Sequence, residues 1–443
     1  MKRRHNMTKR ILPLLLAALM LFSLGAQAGE AATLVFWHSM SDETGLLLDK
    51  YVNSFNETIG KELNVTVEAV FQGQYSDATT KLNSILTAED YGQLPDVMNL
   101  DATGKVAYFN SGRAWTMDDA LKADPDYDIS QILPITLGNW AFSGVQLGMP
   151  FAASTTIMFY NKTMLDQAGA DAPETFQDII TLSEKLPEKS DTGLDIIAYS
   201  VLPNTPTLAN WLGQLGSYVV NNKNGSEAMA TELACIDNGA LETFLTEWKG
   251  MYEAGALTNA AGTTDQFVAG QLAVLTTSSS NVTSLLEKIG GAFELGAGYY
   301  PRVNAQASAG ATVSGSSLVM FDKQDDAKKA ASWELVKYLA SPGVQAEFAA
   351  ATGYVPVNRG ALEEAGYQAL VAEYPQYAVA ADQLAATPAE MSSVTVGPAK
   401  DFYYAIQDNI AMMLDEDLSV EETVEIMADE LSGLLYQYQQ ANQ

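Results

Sequence analysis

Apolar and polar residues change their spacing repeatedly along this chain, and each change marks an element. Thr33-Leu34-Val35-Phe36-Trp37 is a run of β-formers and predicts a strand. Ser41 is placed to cap the helix that follows, in which Leu48, Tyr51, Val52 and Phe55 share one face. Val65, Val67, Ala69 and Phe71 alternate along a second strand, Val65–Phe71. Leu82, Ile85 and Leu86 mark a helix, and Asp96–Leu100 a strand. The exchange continues with strands at Thr156–Tyr160, Ile196–Ser200 and Leu272–Thr277. Between and after them lie helices at Phe176–Leu186, along the stripe Leu241, Phe244, Leu245, Trp248 and Tyr252, and at Asn281–Ile289. Such alternation predicts an α/β fold of parallel sheets with helices on both faces. The end differs: Phe402–Leu414 and Glu421–Tyr438 read as long helices, and residues 437–443 as a frayed tail.

In open α/β sheets, ligands sit outside the carboxyl ends of the strands. That rule selects four turns: Trp37-His38-Ser39, Gly73-Gln74-Tyr75, Asp101-Ala102-Thr103 and Thr277-Ser278-Ser279-Ser280. They carry hydroxyls, amides and aromatic rings, and no catalytic set. Asp101 is also placed to cap the helix after it, and Ser279 or Ser280 to cap the Asn281 helix. The N–H groups at that helix start are suited to an anion.

The first residues follow another logic. Lys2, Arg3, Arg4, Lys9 and Arg10 precede an apolar run from Ile11 to Leu24 and then Ala26-Gln27-Ala28. A basic start, a short apolar stretch and a small-x-small site predict a removable secretory leader over residues 1–28. The run is shorter than the roughly 20 residues that span a bilayer. The single cysteine, Cys235, lies far from the cleavage region, so neither an internal disulfide nor an acylated anchor is expected. A freely diffusing periplasmic monomer is the expectation.

Charge and composition then remove functions. The net charge is −30, and it becomes −35 once the five basic residues of the leader are gone. So acidic a chain repels nucleic acid and anionic lipid. The remaining chain, 47% apolar as a whole, is long enough for two or three domains. Beyond the leader it holds one histidine, His38, and one cysteine, too few for a zinc site without reliance on acids. No nucleophile elbow, phosphate loop or dinucleotide-binding glycine pattern is present. Carboxylates for glycoside hydrolysis are plentiful, but no pair stands out. Neither a cofactor nor a metal is expected, and catalysis is not.

Seven ordered segments carry a resemblance. They are Phe36-Trp37-His38-Ser39-Met40, Gly73-Gln74-Tyr75, Pro95-Asp96-Val97, and Pro150–Thr155 running into Phe159-Tyr160-Asn161-Lys162. Then come Phe267–Gly270 before Thr276–Ser279, Ser314-Gly315-Ser316-Ser317, and Thr352–Pro356. The chain resembles the extracellular solute-binding proteins of carbohydrate-type ABC importers, and within them the glycerol-3-phosphate-binding branch. The resemblance implies two α/β lobes of the type II-like periplasmic binding fold, joined by crossings near Phe151–Thr155, near Val313–Gly315 and after Tyr354. One lobe is expected from 29–152 with 313–356, the other from 153–312 with 357–443. It also implies that Tyr75, Asp101, Ser154, Ser279, Gly315 and Tyr354 occupy ligand-contacting positions. Trp37 and His38 join the candidates as residues at a strand end.

Those residue types suit a polyol. Asp101 and the serines can pair with hydroxyls, which both donate and accept. Trp37, Tyr75 and Tyr354 offer rings for apolar C–H faces. The chain departs from the branch at two places. Glycerol-phosphate binders carry an arginine that clamps phosphate through paired N–H donors, and alignment of Val394–Gly397 puts Thr395 there. A family aromatic aligns near Leu202. A hydroxyl does not replace a fixed cation, so a neutral carbohydrate or polyol is favoured over glycerol phosphate, for which Lys400 or the helix start near Ser279 would have to serve. The expected partners are that small molecule and the importer's inner-membrane permease subunits; a sensory receptor role is the distant alternative.

Overall fold

The computed structural model describes residues 31–190, 193–388 and 391–441. The leader assigned to residues 1–28 lies outside them. Eight described strands have four residues or more: β1 (Ala32–His38), β2 (Val65–Phe71), β3 (Val97–Asp101), β4 (Met149–Asn161), β5 (Ile197–Ser200), β6 (Leu272–Ser278), β7 (Leu295–Gly298) and β8 (Val313–Phe321). Hydrogen bonding runs in the order β2–β1–β3–β8–β4–β6–β5, with β7 also on β4.

The expectation of purely parallel sheets is corrected. β1 is parallel to β2 and β3, and β5 to β6, but β8 is antiparallel to both β3 and β4. The reason lies in the connection between the two lobes. β4 leaves the first sheet and enters the second; β8 returns alongside it and must run the other way. Residues 149–155 of β4 pair with β8, and residues 156–161 pair with β6 and β7. A third crossing, just after Tyr354, is tied down by Val355 N–H donating to the Ala153 carbonyl at 2.7 Å. At the crossing point Thr155 is fully buried, and its Oγ1 donates to the Thr312 carbonyl at 3.0 Å.

Each sheet is covered on both faces, which is why its strands are rich in β-branched and aromatic residues rather than strictly alternating. In the first lobe Leu34 and Phe36 of β1 face one core with Phe55, Phe151 and Leu335, while Trp37 faces another with Leu82, Trp140 and Val319. In the second lobe Ile157, Phe159 and Leu275 point to one side. The other side is an aromatic block of Phe176, Trp211, Phe244 and Trp248, on which the helices Ala399–Asp415 and Val420–Ala441 close through Phe402, Ile406, Met427 and Leu431. Side chains of this size each contribute roughly 1.5–3 kcal/mol on burial, so the C-terminal pair is integral to that lobe. The frayed tail is corrected accordingly, since the last helix runs on through Ala441. Ser41 stands at the N-cap of the helix Asp42–Glu57, but its side chain makes no cap bond.

Candidate cavity between the lobes

A cavity of about 800 Å³ opens where the strand ends of the two lobes meet. Its floor is the crossing segment Thr312–Gly315. One wall is Asp101-Ala102-Thr103 with Val106, Ala107 and Asn110 of the short helix Lys105–Asn110; the other holds Thr205, Gly225, Thr395 and Tyr438. Asp101, Gly315 and Thr395, drawn from three distant parts of the sequence, therefore line one space.

Asp101 ends β3 opposite Ser316 of β8. Its Oδ1 accepts from Thr103 Oγ1 at 2.8 Å and from Thr79 Oγ1 at 3.4 Å, and Asp101 itself stands at the N-cap of the 3-10 turn Ala102–Gly104. Burial raises the carboxyl above its ordinary value, against those hydrogen bonds, which lower it. Beside it a polar cluster continues. Tyr75 Oη donates to Ser316 Oγ at 3.0 Å, and Asn99 Nδ2 donates to the same oxygen at 2.7 Å. Burial and the neighbouring Tyr354 hold the Tyr75 phenol far above its usual value. Tyr354 stacks on Phe348 at 5.4 Å with 12° between planes, and a hydrogen bond with Ser280 works against the upward push of burial on its hydroxyl.

The serines divide. Ser154 is buried in the ladder opposite Ser314, and Ser279 is buried with its Oγ accepting from Thr155 N–H at 3.4 Å. Neither Ser279 nor Ser280 caps the helix: Asn281 stands at the N-cap of Val282–Ile289 without a side-chain cap bond, and Ser278 Oγ accepts from Ser280 N–H in the 3-10 turn before it. His38 and Trp37 lie elsewhere. Trp37 is 5% exposed within the core, with Lys81 Nζ 4.2 Å over its ring. His38 sits between Phe36 and Phe71, its Nδ1 accepts from Met40 N–H, and burial lowers its basicity. Neither lines the cavity. Nor do Leu202 and Lys400, the latter exposed in the first turn of its helix.

Several participants were not foreseen. Ser314 faces the cavity, as does Tyr438, whose ring packs so closely on Gly397 that a Cβ there would lie 2.1 Å away. The segment Asn222-Lys223-Asn224-Gly225 forms a left-handed turn, with φ of 53°, 50°, 55° and 74°. Three non-glycine residues in that conformation cost roughly 1 kcal/mol or more each. Asn224 anchors them: its Oδ1 accepts from Val219 and Val220 N–H, its Nδ2 donates to the Ser392 carbonyl at 2.8 Å, and its carbonyl accepts from Thr395 N–H at 2.7 Å. This turn fixes Thr395 in the wall. The Asn-Lys-Asn-Gly run was a readable turn signal; its partnership with residue 395 was not. Across the mouth, the hairpin Ala141–Phe142/Val145–Gln146 reaches the same segment, Ser143 N–H donating to the Ser226 carbonyl at 2.9 Å.

The cavity thus lies at strand ends, is floored by a crossing segment and is lined largely by hydroxyls, amides and small apolar residues. The profile of the bacterial extracellular solute-binding proteins matches residues 50–378. The chain belongs to that family. Among relatives of this solute-binding protein, the sn-glycerol-3-phosphate-binding periplasmic protein UgpB of Yersinia pestis is 25% identical over 373 residues, covering 82% of each chain. Its counterpart in Pectobacterium atrosepticum is 27% identical over 383 residues, covering 84% of each. The crystal structure of UgpB from Mycobacterium tuberculosis in complex with glycerophosphocholine superimposes with a TM-score of 0.73 at 18% identity, covering 92% of this chain and 99% of that one. The sugar-binding protein MalE of Xanthomonas citri gives 0.73 at 20% identity, over 93% and 99%. These likenesses establish the two-lobed fold. Among the described residues no helix is long and apolar enough to cross a membrane.

Proposed function

We propose that this solute-binding protein is the periplasmic receptor of an ABC importer, holding a neutral sugar or polyol between its lobes and passing it unchanged to the permease subunits. In this reading residues 1–28 are the export leader, 29–152 with 313–356 form one lobe, and 153–312 with 357–443 the other; the receptor acts as a monomer. One observation carries the choice of solute. Among the described residues the cavity is lined by a single charged side chain, the carboxylate of Asp101, and by no lysine or arginine. A dianionic phosphate ester would meet repulsion there, whereas a polyol offers Asp101 a hydroxyl donor. Ser314, Thr205 and Thr395 supply hydroxyls that both donate and accept, and Phe142 and Tyr438 supply apolar ring surface. Tyr75, Ser154, Ser279 and Tyr354 do not line this cavity; Tyr75 adjoins it through its hydrogen bond to Ser316.

Calorimetry against sugars, polyols and glycerol 3-phosphate tests the reading. A neutral ligand is expected to bind, and Asp101→Asn to weaken it about 10- to 100-fold, the range for a hydrogen bond to a charged group. Affinity should also fall on acidification, and because the Asp101 carboxyl is raised the fall begins at a higher pH than for an exposed aspartate. Tight glycerol 3-phosphate binding that survives Asp101→Asn and disappears in Lys400→Ala would instead establish a glycerol-phosphate receptor.

A further inference from the structure

A second groove, of about 880 Å³, meets the cavity at Asn139, Val313 and Ser393 but has a different chemistry. Three cations line it, Lys105, Lys223 and Arg359, against one acid, Asp382. In a chain with 24 lysines and arginines to 54 acids, a random groove would show the opposite excess. The groove also takes its walls from both sides of the crossing strands, with Lys105 and Asn139 on one and Lys223 and Asp382 on the other.

Lys105 is the informative residue. It is 2% exposed, and among the described residues its ammonium makes one hydrogen bond, a 3.3 Å contact to the Asn139 carbonyl, and no ion pair. An ammonium has three donors. Burying one with a single long contact is costly, and buried charges are ordinarily paired. Sequence neighbours do not account for it: Val106, Ala107 and Asn110 of the same helix serve the solute cavity, while Lys105 alone faces the other way. At the rim Arg359 is exposed and commits only its Nε, to the Ser130 carbonyl at 3.2 Å. Lys223 is paired with Glu227, so Lys105 and Arg359 remain as the groove's charge donors.

We propose that this groove binds a small oxyanion, a phosphate or a carboxylate, with Lys105 as the buried counter-charge and Arg359 at its rim. The oxyanion comes either free from solution or as the acidic group of a larger molecule. The proposal does not depend on the solute assigned to the neighbouring cavity.

Titration of the purified protein with inorganic phosphate, and separately with acetate, followed by calorimetry, tests it. Saturable binding of at least one is expected. Lys105→Met should weaken it tenfold or more, Arg359→Gln severalfold, and Asp382→Asn should tighten it, while Asp101→Asn leaves it unchanged. Arg359 and Asp382 are exposed, so their variants read the site independently of the change at Lys105. Absence of saturable binding by both anions overturns the proposal, as does binding that Lys105→Met and Arg359→Gln leave intact. Loss of anion binding on Asp101→Asn would also overturn it, by placing the anion in the solute cavity.

Discussion

Gly315→Ala is expected to destabilise the protein by about 3–5 kcal/mol and to abolish solute binding. Gly315 sits in β8 opposite Ala153 with φ of 101°, a conformation that an L side chain rarely adopts. A Cβ at this position would lie 1.8 Å from the Ala152 carbonyl oxygen. That oxygen belongs to the backbone of the adjacent crossing strand, so no rotamer change relieves the overlap. The two strands must part, and the ladder register already shifts at the next step, between Ser316 and Ser317. Those same strands carry the cavity floor, so binding is lost with them. Gly255→Ala is the matched control: its φ is 73°, and nothing lies within 4 Å of an added Cβ. It should cost about 1 kcal/mol. Urea denaturation of both variants checks the prediction, and equal stabilities would refute it.

The second large effect runs the other way. Lys105→Met is expected to stabilise the protein by about 3 kcal/mol at pH 7 in a buffer without oxyanions. Burial pulls the Lys105 ammonium down from 10.5 to about 8, and each unit is worth 1.36 kcal/mol of differential interaction. The sign follows from proton linkage. Below pH 8 the lysine is charged in both folded and unfolded chains, and the folded chain bears the full cost of burying it. Between pH 8 and 10.5 the unfolded chain binds more protons, so the wild type gains stability as pH rises. The advantage of methionine, which fills a similar volume without charge, should therefore shrink across that window and vanish above it. Denaturation at pH 7 and pH 10 measures the decline. An advantage that is absent at pH 7, or that does not change with pH, would contradict the account.

Much of this architecture is legible in the sequence because period and burial agree. Val65–Phe71 and Leu272–Thr277 are strands, and the stripe ending at Tyr252 is a helix, within a residue or two of expectation. The strand β4 is visible only in its second half. Met149–Thr155 contains a proline and two alanines and has no period, because it is buried from all sides at the crossing. Trp37 illustrates a different limit. Phe36 and Trp37 point to opposite faces of β1, and both faces are covered, so the aromatic residue near the strand end belongs to a core. Asp101, Gly315 and Thr395 line one cavity, while Tyr75, Ser154, Ser279 and Tyr354 lie outside its lining. What joins Thr395 to Asn224 is tertiary contact between segments some 170 residues apart, which no local pattern records. The isolation of Lys105 is invisible for the same reason: its neighbours in sequence are ordinary helix residues.

The thirteen residues of β4 bear finally on how the molecule comes apart. One backbone holds ladder bonds to β8 before Thr155 and to β6 and β7 after it. Rotation of one lobe against the other is then a change of twist shared by the three crossing segments, β4, β8 and the chain after Tyr354, and neither ladder has to open to allow it. Melting is more demanding. If either sheet loosened alone, β4 would present unpaired N–H and C=O groups at the heart of the survivor, the kind of edge that folded chains keep covered. Local opening is thus confined to the periphery, and the two lobes form one cooperative unit when the chain unfolds.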